Sequence, residues 1–288
     1  MEGAGNLKVG AKLRGFNLGV REKIIISTAA LAASFIAVLV AGSIIDMDAL
    51  RVNLVNIFIS PSLDHPFGTD WVGRDMLLRT VKGLSISMKI GILCSVTSGF
   101  IAMILGVAAP LFGGKVDYFI SWLIDLMLSV PHTLVIILIS IAVGGGLKGI
   151  VIGVALTHWT SLTRVIRAEV MQIKEMEYTK ISRKFGKSSF YIAKEHVLPH
   201  IIPQLVVGMV LVFPHAILHE ASVTFLGFGL PPHEPAIGVI LSESMKYLTS
   251  GKWWLAFFPG FSLVLISMLV DCVGKNIGKL INPKKAYK

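Results

Sequence analysis

Charge is scarce in this chain. Asp, Glu, Lys and Arg make up 15% of its 288 residues, against about 25% in soluble domains. With 54% apolar residues and a mean hydropathy of +0.75, the scarcity excludes an ordinary soluble protein and implies an all-α integral membrane protein with several spans. Cysteine is nearly missing too. Cys94 and Cys272 form no C-x-x-C or Cys/His spacing, which excludes a disulfide framework or a zinc site and leaves two small buried apolar residues. Neither H-E-x-x-H nor G-x-S-x-G nor a carboxylate pair occurs, so the chain shows no catalytic machinery and is not read as an enzyme. Gly186-Lys187-Ser188 resembles the end of a phosphate-binding loop, but Ile181 stands where the loop needs glycine. No bound cofactor is expected, and any ATP is bound by another chain. Polar segments stay under about 40 residues, too short for a soluble domain, and no repeat is visible.

Six apolar runs remain. They cover the stretch from Ile25, then about Ser85 to Ala109, Tyr118 to Val143, Leu147 to Trp159, Ile201 to Leu218, and Trp254 to Val273. The first approaches the roughly 20 residues a helix needs to cross a bilayer and exceeds a signal-peptide core, so it is read as an uncleaved span. Pro110 and Gly113-Gly114 end the second. The organisation expected is a tail, first span and outer segment over 1–83, a five-helix transmembrane unit over 84–280 with a polar loop at 160–200, and a tail over 281–288. An even number of spans puts both termini on one side. Of the 27 Lys and Arg, 19 fall before the first apolar run, after the last one, at Lys115 and in residues 160–200. The positive-inside rule therefore makes these segments and both termini cytoplasmic, with 46–83 and 219–253 outside. The net charge of +10 is accounted for by these loops, without nucleic acid.

The basic segment between Arg164 and Pro199 is the one long wet stretch in the second half of the chain. Its centre, Glu177 to Gly186, reads as a short amphipathic helix. Tyr178, Ile181, Ser182 and Phe185 share one stripe, Lys180, Arg183 and Lys184 point elsewhere, and Gly186 supplies a left-handed terminator. Such a stripe in water is expected to press against a partner.

Other residues invite a functional reading. His215 and His219, at i and i+4 with Glu220 adjacent, either face a metal or polar ligand or are helix-end residues meeting interfacial water. His196 and His200 share the spacing, but Pro199 is expected to break their register. Asp125, inside the third run, calls for a partner, with Arg164 or Arg167 as candidates. The segment FLGFGLPPHEPAIG from Phe225 needs a protein-buried or water-lined environment and is a candidate wall of a translocation path. The expected path residues are thus Asp125, His215, His219, Glu220 and Phe225. A self-sufficient secondary transporter or channel is the alternative, although such proteins carry more intramembrane ionisable groups.

Several motifs resemble one family. His65 to Arg79 (HPFGTDWVGRDMLLR), Val223 to Gly229 (VTFLGFG), Phe258-Pro259-Gly260 and Asn282-Pro283 are similar, in order, to segments of the second permease of binding-protein-dependent ABC importers, in the dipeptide, oligopeptide and nickel branch. Gly186 and Leu198-Pro199 match the family's cytoplasmic signature, while Lys180-Ile181-Ser182 replaces its E-A-A triplet. The resemblance implies an inner-membrane permease paired with a second permease, two cytoplasmic ATP-binding subunits and an external solute-binding protein. It also implies that Glu177, Tyr178, Lys180, Ile181, Ser182, Arg183, Phe185 and Gly186 contact an ATPase. The cargo implied is nickel, free or complexed, or a di- or oligopeptide, with Thr157-His158-Trp159 and the His215/His219 pair leaning toward nickel.

Overall fold

The structure, a computed structural model, describes residues 19–281; the N-terminal tail to residue 18, Asn282-Pro283 and the rest of the C-terminal tail lie outside the described residues. Among the described residues there are ten α-helices and no strand: α1 (Val20–Ile44), α2 (Met76–Phe112), α3 (Gly114–Ser129), α4 (His132–Ala142), α5 (Gly146–Glu175), α6 (Glu177–Lys184), α7 (Ser189–Ile192), α8 (Leu198–Phe225), α9 (Ile237–Leu248) and α10 (Trp254–Ile281). By length and composition, five helical stretches are able to cross a membrane, and α3 with α4 makes a sixth if the bent pair is one span. The all-α, five-to-six-span architecture is the one the composition implies.

The third run is not one helix. It breaks between α3 and α4 with a bend of 98°. Pro131 has no N–H to donate and its ring disfavours a helical residue before it, and Val130 is accordingly extended (φ −103°, ψ 141°). The other prolines behave differently from expectation. Pro110 lies inside α2, which continues to Phe112 and stops at Gly113 (φ 62°). Pro199 does not break the chain: a π-turn over Ala193–Val197 precedes it, and α8 continues directly from that turn with proline in its first turn, where a missing N–H is tolerated. Because α8 runs on to Phe225, His215, His219 and Glu220 lie within a helix and not at its end. Helix α2 starts at Met76, earlier than hydropathy alone indicates, because the Asp75 carboxylate caps it, accepting from the Leu77 and Leu78 amides at 2.8 and 3.0 Å.

In a bilayer, helices associate through close packing more than through hydrophobic burial. Two glycines carry that packing here. A Cβ on Gly42 would lie 2.4 Å from the Val81 carbonyl oxygen, so α1 rests on α2 only because that Cβ is missing. Likewise a Cβ on Gly149 would lie 2.7 Å from the Ser140 carbonyl oxygen where α5 crosses α4. Cys94 is buried as expected, whereas Cys272 is exposed on the flank of α10, away from helix neighbours.

At the end of the bundle where α2 and α10 begin, residues 45–75 fold back on themselves. Phe67 stacks on Phe258 with centroids 4.4 Å apart, and Trp254 donates to the Thr69 carbonyl at 3.4 Å. The motif His65 to Arg79 is built around Asp70, which is fully buried. Its carboxylate accepts from the Val72 and Arg74 amides at 3.0 and 2.9 Å, from Arg74 Nε at 2.7 Å and from Arg79 Nη1 at 3.1 Å. Arg79 also pairs with Glu243 of α9. The segment FLGFGLPPHEPAIG, which joins α8 to α9, is only partly buried: Ser140 donates to the Phe228 carbonyl at 3.0 Å and Leu230 and Ala236 are core residues, whereas the side chains of Leu226 and Phe228 are exposed.

Candidate functional site

Two features stand out, one at each level of the bundle. The first is α6, at the end opposite the residue 45–75 segment. Helix α5 ends when Met176 turns extended (φ −67°, ψ 144°), and α6 starts with acidic Glu177 in its first turn and finishes with Arg183 and Lys184 in its last, the arrangement the helix dipole favours. Gly186 then takes φ +76°, with its amide on the Arg183 carbonyl at 3.0 Å and the Lys187 amide on Ser182 at 3.1 Å. A Cβ on Gly186 would meet nothing within 4 Å, so backbone conformation alone requires glycine there.

The apolar stripe of α6 is divided. Thr179 is buried against the body. Tyr178 lies beside His196 and stacks on His200, with centroids 5.3 and 6.4 Å away, and Ser182 Oγ lies 2.8 Å from His196 Nε2. These contacts fix α6 to the start of α8, a role for the two histidines that sequence spacing did not reveal. Ile181 and Phe185, at 50% and 79% exposure, face outward with no partner in the described residues. Lys180 pairs with Glu175 at 3.2 Å, and Arg183 and Lys184 ring the outward face.

The second feature is a cavity of about 540 Å³ between α5 and α8, lined also by Leu128 of α3 and His132 of α4. It runs along α8 from Gln204 to His219 and along α5 from His158 to Val165. On its wall three imidazoles meet: His132, the first residue of α4 after the break at Pro131, His158 from the middle of α5, and His219 from α8. Ring centroids are 4.5 Å apart for His132 and His158, 5.1 Å for His132 and His219, and 5.2 Å for His158 and His219. His215, one turn from His219, also lines the cavity.

The remaining expected path residues are elsewhere. Glu220 points away from the cavity: it is fully buried, accepts from Thr224 Oγ1 at 3.1 Å, and has Ser87 of α2 beside it. Phe225, half-buried, ends α8. Asp125 is paired as expected, to Arg164 at 2.6 Å, but it is not buried; its side chain is 68% exposed on the outside of α3. Arg167 takes a different partner, holding Asp117 through two bonds of 2.6 and 2.8 Å. The structure keeps both His215 and His219 at the cavity, brings His158 of Thr157-His158-Trp159 to them, and adds His132. Pro131 was the available signal for His132, since a proline-broken span brings the residue after the break inward.

Comparison with known proteins gives three findings. Residues 98–283 match the family described as "Binding-protein-dependent transport system inner membrane component". The Bacillus subtilis (strain 168) "Dipeptide transport system permease protein DppC" is 33% identical over 82% of this chain and 73% of its own length. The "Oligopeptide transport system permease protein OppC" of the same organism is 32% identical over 82% and 77%, and the DppC protein of Alkalihalophilus pseudofirmus is 30% identical over 95% and 88%. Among solved structures, an inward-facing form of the MetNI methionine ABC transporter aligns with a TM-score of 0.59 at 17% identity, over 72% of this chain and 98% of that one; it shares the fold.

Proposed function

This chain belongs to the family of binding-protein-dependent transport system inner membrane components, the permeases of ABC importers, and we propose that it forms half of a translocation path whose other half is a second permease. Two separate cytoplasmic subunits bind and hydrolyse ATP, and an external solute-binding protein delivers the cargo. In the inner membrane, both termini and α6 face the cytoplasm, as the Lys and Arg distribution requires. The cargo is a di- or oligopeptide, the class in the names of the relatives above, or nickel, free or complexed, the class favoured by the histidines of the cavity.

The observation that carries this reading is α6: an amphipathic helix between two spans, anchored behind by Tyr178, Ser182 and Thr179, with Ile181 and Phe185 bare in front. Such a surface seats in a groove, here on an ATP-binding subunit. Closure of the ATPases on ATP displaces α6, and because α6 is fixed to α5 and α8 the displacement tilts both walls of the cavity. Two arrangements of a packed bundle, biased by nucleotide, give alternating access.

Cysteine placed at Phe185 should cross-link to the ATP-binding subunit in native membranes, with a yield that changes when ATP is supplied. Cysteine at Asp48, at the other end of the bundle, should not. Equal labelling of both positions, or none of the ATPase, contradicts the reading.

A further inference from the structure

We propose that His132, His158 and His219 form a transit site for a divalent first-row transition metal, so that the cargo crosses this subunit as a metal ion or metal complex. The inference rests on the permease reading and narrows its cargo.

The donor set is the starting point. The three histidines each offer a ring nitrogen, and these atoms all lie within 4.8 Å of one another. Imidazole nitrogens bound to one ion at about 2.0–2.1 Å stand roughly 3.3 Å apart in a tetrahedron, so small ring rotations close the site. Neutral imidazoles without a carboxylate suit nickel, copper, zinc or iron and disfavour calcium and magnesium, which take oxygen donors. The nearest carboxylate on α8, Glu220, faces α2.

His158 is the second, independent observation. It is 7% exposed, and its Nδ1 lies 3.1 Å from the Val154 carbonyl, which only accepts; Nδ1 therefore carries the proton. Nε2 is left as a bare lone pair, buried and without any hydrogen-bond partner. Leaving a buried acceptor unpaired is costly, and a backbone carbonyl on the opposite nitrogen is the usual support of a metal-binding histidine. His219 Nδ1 lies 3.5 Å from Thr133 Oγ1 of α4.

Three protein ligands leave coordination positions open, the property of a site that hands its ion on. The cavity supplies room for water or for the donor atoms of a small chelating peptide in those positions. His215, also on the cavity wall, is the next donor along α8. The break at Pro131 makes the site possible, since an unbroken third span would not turn His132 inward.

The test uses the tag-free full chain, purified with the subunits that accompany it, and Ni2+ and Co2+ alone as probes. Equilibrium dialysis should show one Ni2+ site per chain, and Co2+ should give the visible absorption of nitrogen coordination. His158→Ala and His132→Ala should each weaken Ni2+ binding by at least about 100-fold, the upper end of what losing even an outer-shell partner of a ligand costs, with unchanged elution profile and subunit retention. His200→Ala, on the α6 side, should leave it unaltered. Removing His132, a half-buried residue, tests the site without opening the core at His158. Stoichiometric Ni2+ binding that survives both variants, or no binding by the parent, overturns the metal site. ATP-driven peptide uptake with no Ni2+ binding would sink the metal site alone, and loss of the ATP-binding subunits from the parent complex would sink the permease reading instead.

Discussion

Replacing Ile181 and Phe185 together by aspartate abolishes ATP-driven uptake and releases the ATP-binding subunits, while the chain stays inserted in the membrane. The two side chains are 50% and 79% exposed and hold nothing in place within this subunit. Burying each in a groove is worth about 2 kcal/mol, and a carboxylate there forfeits that and adds its own desolvation. A loss of about 4 kcal/mol corresponds to nearly 1,000-fold in affinity, enough to separate the subunits at ordinary concentrations. Co-purification of the ATPases measures it, with membrane yield as the control. Aspartate at Tyr178 is a less clean variant, because Tyr178 leans on His196 and His200 and its loss loosens α6 itself. Retained uptake and retained ATPases in the double variant would mean that α6 is not the docking element.

The second large effect is at the other end of the bundle. Arg79→Met destabilises the folded chain by about 3–5 kcal/mol, the cost of leaving a buried ion without its partner. Arg79 is 2% exposed and holds Asp70, which is fully buried, as well as Glu243. Asp70 retains two amides and Arg74 in the variant, so the fold survives with a lower melting temperature. Arg51→Met is the comparison: its pair with Asp48 is 74% and 69% exposed on the two sides, and such pairs contribute roughly 0–1 kcal/mol. Thermal unfolding of the two detergent-solubilised variants should separate them clearly. Equal melting temperatures would contradict a structural role for the Asp70 network.

The spans and α6 were legible in the sequence because each is encoded locally, by an apolar run or by a stripe with helical spacing. Gly186 was legible for the same reason, as a residue suited to positive φ directly after a helix. What escaped is encoded between segments. Pro131 and Pro199 look alike in sequence, yet one bends a span by 98° and the other follows a π-turn without a break. The backbone before each differs: Val130 ahead of Pro131 is extended, whereas Pro199 lies in the first turn of α8 with helical residues before it. His132, His158 and His219 come from three separate helices, and no spacing rule joins them; the i, i+4 pair His215 and His219 was visible, His158 was singled out only through the family resemblance of Thr157-His158-Trp159, and His132 was not seen. Of the two partners expected for Asp125, Arg164 or Arg167, it takes Arg164, but its exposure was not expected, because hydropathy cannot tell a face turned toward the bundle from one turned away.

Reconstitution decides whether this chain transports with ATP-binding subunits or alone. This chain, its partner permease and the ATP-binding subunits are placed in liposomes, with the solute-binding protein and cargo outside and ATP within. The account predicts accumulation that requires ATP and the binding protein and is lost when Ile181 and Phe185 are aspartate. Accumulation driven by an ion gradient through this chain alone, without ATP, would contradict it.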